Sequence, residues 1–332
     1  MPNNKPALYV ENVKKYYVSR KKHVLSDGSV VRKAFIKSVD DVAFSLKAGE
    51  VLGVIGESGC GKSTLGRLIV RLEPTTDGHV FYDGEDAEAL LKKDKLAFRK
   101  MTQMVFQNPF ETFDPRHTIE KALLRTLTLH HIGKSKTERR EMILARFTDA
   151  GLVPAERMLE RFPHELSGGQ LQRISVIRSV MLSPKVIVAD EPVSMLDVSV
   201  RADIVNMLHS AAKNYNLGLI FISHDISLTR YISDSIIVMY LGNIMEYGSA
   251  SDVIDRPLHP YTKVLLSNSP NVDPREKRAP IRLKGEPPTP VDVPDGCAFS
   301  RRCPEAKEDC MTVSQQLRDI SGRLVSCMHI DL

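Results

Sequence analysis

Four short runs along the chain are apolar without alternation: Val51 to Ile55, Met104 to Phe106, Val186 to Ala189 and Leu219 to Ile222. Continuous apolar runs of this length suit strands buried on both faces of a mostly parallel sheet. Leu8 to Val18 and Lys33 to Leu46 read instead as short strands and turns, forming a β subdomain within residues 8 to 50. Elsewhere the spacing turns helical, in Leu65 to Leu72 and in Leu171, Ile174, Ile177 and Met181. Helix-rich sequence from about Ile119 to Phe162 predicts a separate lobe, at about residues 112–165, and Thr137 to Glu141 reads as a helix start. Ile236 to Tyr247 reads as a hairpin turning at Gly242-Asn243. From about Arg256 the pattern breaks, and prolines at 257, 260, 270, 274, 280, 287, 288, 290 and 294 mark an irregular extension. The pattern predicts an α/β domain over residues 1–255 and an extension over 256–332.

The first apolar run leads into Gly56-Glu57-Ser58-Gly59-Cys60-Gly61-Lys62-Ser63-Thr64, which fits the P-loop pattern of a glycine, four residues, then Gly-Lys-Ser. Glycines let the backbone wrap a phosphate, with several N–H groups and a helix N-terminus facing the negative charge. Lys62 would reach the β- and γ-phosphates of ATP, and Ser63 would ligate Mg²⁺.

Leu166-Ser167-Gly168-Gly169-Gln170 opens a second phosphate-ready helix terminus, with Ser167 a good N-cap. One nucleotide does not need both termini from one subunit. Two chains arranged head to tail would let each segment close over the other's γ-phosphate. Soon after comes the third apolar run, ending in Asp190-Glu191. Ligands of open α/β sheets bind at the C-terminal ends of strands. There Asp190 would hold Mg²⁺ through water, and Glu191 would polarise the attacking water.

With 332 residues and 42% hydrophobic content, a sizeable core and two domains are reasonable. No stretch approaches the roughly 18–20 apolar residues of a membrane span, and the first residues lack a signal-peptide core. The expectation is a cytoplasmic chain that meets the membrane through partners. Net charge is +5, with Lys14, Lys15, Arg20, Lys21, Lys22, Arg32 and Lys33 clustered near the start. That cluster reads as a solvated loop, with attraction to an anionic leaflet as the other reading. Aromatics are not interleaved with the basic residues, and no nucleic-acid module is recognisable.

The ordered motifs resemble the ATPase subunits of ABC transporters over nearly the whole chain. The resemblance implies a P-loop NTPase core of the ABC type with a β subdomain and an inserted helical lobe. It makes Gln107, in VFQNP, the glutamine that touches Mg²⁺ or the water and reports to the transmembrane partner. Leu166 to Gln170 is the signature, Asp190 and Glu191 the acidic pair, Asp197 the D-loop aspartate, and His224 the histidine that contacts the γ-phosphate. Tyr17 is implied to stack on adenine, with Tyr16 the second choice. Met195 stands where the family commonly has alanine, leaving Asp197 in place. A soluble ABC protein of DNA repair or translation typically carries two ATPase halves or a long coiled coil, neither of which is present here.

HPYT at His259 to Thr262, RLKGEPPTP at Arg282 to Pro290 and GCAFSRRCP at Gly296 to Pro304 resemble the tail of oligopeptide and dipeptide importer ATPases. Related importers of nickel and some oligosaccharides share that tail. The resemblance implies a different, homologous ATPase as partner, two permease subunits and an extracytoplasmic binding protein, at the cytoplasmic face of the membrane.

Cys60 reads as a small packing residue of the P-loop. Cys297, Cys303, Cys310 and Cys327 are separated by five, six and sixteen residues. Disulfides do not suit a reducing compartment, and these gaps fit poorly the C-x₂₋₄-C of structural zinc. The residues alone indicate a four-thiolate metal site. The resemblance implies a [4Fe–4S] cluster, with Zn²⁺ as the alternative and unligated buried cysteines as the third reading.

Overall fold

A computed structural model describes residues 5–24, 28–268, 280–281, 283, 290–291 and 293–330. Most of the RLKGEPPTP motif and the first four residues lie outside the described residues. The chain divides into two compact units that interleave along the sequence: one holds Leu46–Val51 and Asp83–Phe221, the other Tyr9–Ser45, Leu52–Tyr82 and the chain from Ile222 onward.

In the second of these, the P-loop unit, Val51–Ile55 is buried throughout and pairs in parallel with Ser235–Tyr240, with Ile237 opposite Val54. Ser235–Tyr240 turns back into Asn243–Ser249 through Leu241 and Gly242. Both connecting residues have positive φ, 43° and 83°. Two-residue hairpin turns of this hand need positive φ at both central positions, so the turn falls one residue earlier than Gly242-Asn243. Asn243 instead pairs with Tyr240.

The extension continues this sheet. Arg323–Val325 pairs antiparallel with Asn243–Ser249, and Arg318–Ile320 pairs with Arg323–Val325 at the edge. Tyr261, Val264, Leu266, Ala298 and Phe299 are buried in the same cluster as Ile55, Ile236, Val238, Tyr240 and Met245. The hairpin strands supply apolar partners for this proline-broken extension.

Leu8–Ser19 and Ala34–Leu46 form neighbouring strands, each much longer than the short strands expected, with Asp77–Tyr82 on the far side of Leu8–Ser19. Asp77–Tyr82 had no sequence signal strong enough to separate it from the loop around it. The helix after the P-loop spans Lys62–Ile69.

In the other unit, Val186–Asp190 lies between Gly218–Ile222 and Thr102–Val105, and pairs in parallel with the latter, Met104 opposite Val188. The helical lobe comprises Ile119–Leu129, Lys136–Asp149 and Ala155–Glu160. Ser135 caps the second of these by accepting from Glu138 N at 3.1 Å, so that helix starts ahead of Thr137. Ile119, Leu123, Leu127, Ile143, Phe147 and Leu159 share a core with Leu171, Ile174, Ile177 and Met181 of the signature segment. Gln172, Ser175, Val176 and Ser179 are buried as well, so the helix Gly168–Val180 is enclosed on more than the one face its apolar spacing predicts.

Candidate nucleotide site

The P-loop takes its shape from positions where no side chain fits. Gly56 has φ 153°, and a Cβ there would lie 2.2 Å from the Met239 carbonyl oxygen. Gly61 caps the helix Lys62–Ile69 at φ 106°, where a Cβ would lie 2.0 Å from Ser38 O. Lys62 is buried, and its Nζ donates to the carbonyls of Gly56 at 2.8 Å and Glu57 at 2.9 Å. The cation is thereby bent back over the loop that would hold phosphate. Ser58 and Gly59 are exposed. Cys60 is buried, its Sγ 3.7 Å from Lys62 Nζ, and burial raises its thiol pKa.

Tyr17 and Tyr16 each anchor a phenol on a carboxylate, Tyr17 on Glu73 and Tyr16 on Asp40. Burial, then the Glu73 carboxylate, raise the Tyr17 pKa, while the nearby Thr64 hydroxyl lowers it. Thr64 also accepts from Ser38 Oγ at 2.9 Å, so Tyr17 stands beside the end of the P-loop. Lys15 Nζ lies 5.0 Å from the Tyr17 ring centre. His224 is exposed just after Gly218–Ile222, between buried Ser223 and the helix cap Asp225.

In the other unit, Asp190 is buried at the end of its strand and Glu191 follows it with φ 45°. A non-glycine residue in this region costs about 1–3 kcal/mol and is held by its surroundings. Here Ser194 holds it: its N–H and Oγ reach the Glu191 carbonyl at 3.3 and 3.1 Å. Gln107 Nε2 donates to Glu191 Oε2 at 3.2 Å, bringing two of the expected residues together.

The signature forms a capping box. Ser167 Oγ accepts from Gln170 N at 3.3 Å, and Gln170 Oε1 accepts from Ser167 N at 3.1 Å. Leu166 is buried in the lobe core. A Cβ on Gly169 would lie 2.6 Å from Val200 Cγ1, and one on Gly168 3.6 Å from Leu196. Gly169 therefore also admits the helix Val198–Asn214, a packing role beyond exposing N–H groups. Asp197 is exposed at the start of that helix and makes no side-chain cap, with Met195 and Val198 exposed beside it at 63% and 79%.

Cys297, Cys303, Cys310 and Cys327 all line one cavity of about 30 Å³, together with His259, Glu305 and His329. None of the four is in a disulfide. Burial, with the neighbouring thiols Cys327 and Cys310, pushes Cys297 up to about 11; burial likewise takes Cys303 to about 11. Four cysteines lining one cavity are donors of the kind that hold a soft cation, whose charge would favour the thiolates. The donor set fits a metal. Asp309, Cys310 and His329 also bring ligand atoms within 4.8 Å of one another, a mixed set that suits zinc.

Two residues of the extension reach the P-loop, which neither spacing nor composition predicted. Tyr261 accepts from Glu57 N at 3.0 Å, and Arg302 Nη1 lies 2.8 Å from Glu57 Oε2. Tyr261 sits inside the HPYT motif, the only sequence hint. No helix among the described residues is long and apolar enough to cross a membrane.

Residues 39–194 match the family model described as ABC transporter, and residues 245–310 the model described as oligopeptide/dipeptide transporter, C-terminal region. The chain is 45% identical over 299 residues to the putative oligopeptide transport ATP-binding protein YkfD of Bacillus subtilis (strain 168), covering 89% of this chain and 90% of that one. It is 41% identical to the dipeptide transport ATP-binding protein DppF of Escherichia coli (strain K12), covering 98% and 95%. Among solved structures, it resembles the dimeric structure of MJ0796, a bacterial ABC transporter cassette. That match has TM-score 0.61 and 27% identity, covering 73% of this chain and 98% of that one.

Proposed function

The chain belongs to the ATP-binding subunits of ABC transporters, and from that membership we propose that it hydrolyses ATP to power a peptide importer. The observation that carries the ATPase reading is the P-loop, with glycines where a Cβ would strike carbonyls and Lys62 buried over the loop. The match of residues 245–310 to the oligopeptide/dipeptide region favours peptides over nickel or oligosaccharides as cargo.

We assign the roles as follows. Backbone N–H groups of Gly56 to Thr64 cradle the phosphates, with Lys62 drawn from the Gly56 and Glu57 carbonyls to the β- and γ-phosphates. Tyr17, beside Thr64, stacks on adenine in preference to Tyr16. Ser63 and Gln107 hold Mg²⁺, with Asp190 acting through water; bound there, the ion neutralises charge that develops on the phosphates. Glu191 takes or orients the proton of the attacking water, its carboxylate aimed by Gln107. His224 contacts the γ-phosphate. Leu166 to Gln170 and Asp197 serve the nucleotide of a partner ATPase, which the exposed Met195, Asp197 and Val198 would meet.

The working assembly is a closed ATPase dimer beneath two permease subunits, at the cytoplasmic face of the membrane. The finer reading adds a different homologous ATPase as partner and an extracytoplasmic binding protein. Residues 1–255 form the catalytic module and 256–332 the importer-type extension. The four cysteines hold a [4Fe–4S] cluster, which would supply a structural or oxygen-sensing staple rather than electrons for hydrolysis. A zinc ion on Cys310 and its neighbours is the alternative.

Uptake by proteoliposomes holding the purified transporter tests the cargo. ATP-dependent accumulation of di- or tripeptides supports the reading, and accumulation of nickel or oligosaccharide alone sinks it. Subunit counting on the same sample decides the partner, since two identical copies would remove the heterodimer.

A further inference from the structure

Glu57 places a carboxylate in the loop assigned above to a polyphosphate. The extension neutralises it. Arg302 Nη1 lies 2.8 Å from Glu57 Oε2, with the Arg302 side chain 8% exposed, so salt screens this pair less than a surface pair. The same Nη1 donates to the Tyr240 hydroxyl at 3.3 Å. Glu57 N–H meanwhile donates to the Tyr261 hydroxyl, so side chain and backbone of one P-loop residue are both held by the extension. Tyr240, Tyr261 and Phe299 pack with ring centres 4.7–5.3 Å apart, and the guanidinium carbon lies 5.9 Å from the Tyr240 ring centre.

Arg302 is carried by a short turn. Its N–H and that of Cys303 both donate to the Phe299 carbonyl, at 3.0 and 2.9 Å, and Ser300 N–H donates to Cys297 O at 3.0 Å. The two ends of the turn, Cys297 and Cys303, line the four-cysteine cavity. One rigid segment thus touches both sites.

We propose that the turn Cys297–Cys303 couples the four-cysteine site to the nucleotide loop, with Arg302 as the positioning residue that keeps Glu57 paired. This rests on the ATP-site and metal-site readings, neither of which gives Arg302 or the Glu57 carboxylate a role. Losing Arg302 leaves an uncompensated negative charge beside the triphosphate. At a separation of about 8 Å and an effective permittivity of about 20, such repulsion weakens binding by roughly tenfold or more.

The test is equilibrium binding of a fluorescent ATP analogue with Mg²⁺ to the full chain. Arg302→Met should raise Kd by about tenfold, scaled from the same repulsion. Adding Glu57→Gln should bring Kd back to within about twofold of the unmodified chain, because no carboxylate remains to repel the nucleotide. A purely structural loss would not be rescued by removing that charge. Cys303→Ala should raise Kd in the unmodified chain but not further in Arg302→Met. Arg302→Gln gives the same reading if the methionine variant does not fold. An unchanged Kd in the Arg302 variants, no rescue by Glu57→Gln, or an unchanged Kd in Cys303→Ala would overturn the coupling while leaving the ATP site standing. No binding by the unmodified chain would overturn the ATP-site reading and this inference with it.

Discussion

Gln107 donates its side-chain amide to Glu191 Oε2 at 3.2 Å, joining the segment after one strand to the carboxylate after its neighbour. Glu191 sits in the left-handed region with its carbonyl held by Ser194, so its carboxylate is aimed from both ends. Gln107→Ala should therefore lower kcat of the assembled transporter by roughly tenfold, less than the ~10²-fold or more that loss of a general base costs because Gln107 only orients it, with less effect on KM for ATP. Steady-state ATPase kinetics check this. A change confined to KM would mean that Gln107 only binds.

The capping box of Ser167 and Gln170 presents a helix terminus outward. Ser167→Arg removes the cap and puts a long cation where a partner's phosphate would arrive. Nucleotide binding at this chain's own P-loop should survive while ATPase activity of the transporter falls to background. Normal turnover would show that the signature does not act on a partner's ATP.

Gly169→Ala probes packing in the same segment. The new Cβ falls 2.6 Å from Val200 Cγ1, so the Val200 side chain or the helix that carries it must give way. A loss of about 1–3 kcal/mol is expected from overpacking, seen in denaturant unfolding, with Val200→Ala restoring much of it. Destabilisation unrelieved by Val200→Ala would place the clash elsewhere.

Anaerobically purified protein should be brown, with broad absorbance near ~400 nm and about four iron and four sulfide per chain. Cys310→Ser should abolish the colour and make the extension protease-sensitive. Colourless protein holding one zinc would instead favour the zinc alternative, on the four cysteines or on Asp309, Cys310 and His329. Metal-free protein with a protease-resistant extension would leave the cysteines as packing residues.

Much of this architecture is legible in the sequence because its signals are local. The run Val51 to Ile55 coincides with its strand, and the cap and glycines of the signature announce the helix Gly168–Val180. The strand Asp77–Tyr82 was hidden because only its second half, Val80-Phe81-Tyr82, is apolar, a run too short to stand out although Val80 and Tyr82 are buried. The hairpin turn moved by one residue because φ at Leu241 is set by strand pairing, not by residue type. The contacts of Tyr261 and Arg302 with Glu57 span 204 and 245 residues, beyond the reach of any local pattern. Gly169 was legible as a cap residue, but its debt to Val200 was not.

In the proposed mechanism this chain turns over ATP through Glu191 to drive import. The most direct measurement is ATP hydrolysis and peptide uptake in parallel, by the reconstituted transporter carrying either Glu191 or Glu191→Gln. The variant should still bind ATP, accumulate as a closed ATP-bound dimer, and hydrolyse at least about 10²-fold more slowly, with uptake falling in step. Near-normal hydrolysis and uptake in Glu191→Gln would contradict that mechanism.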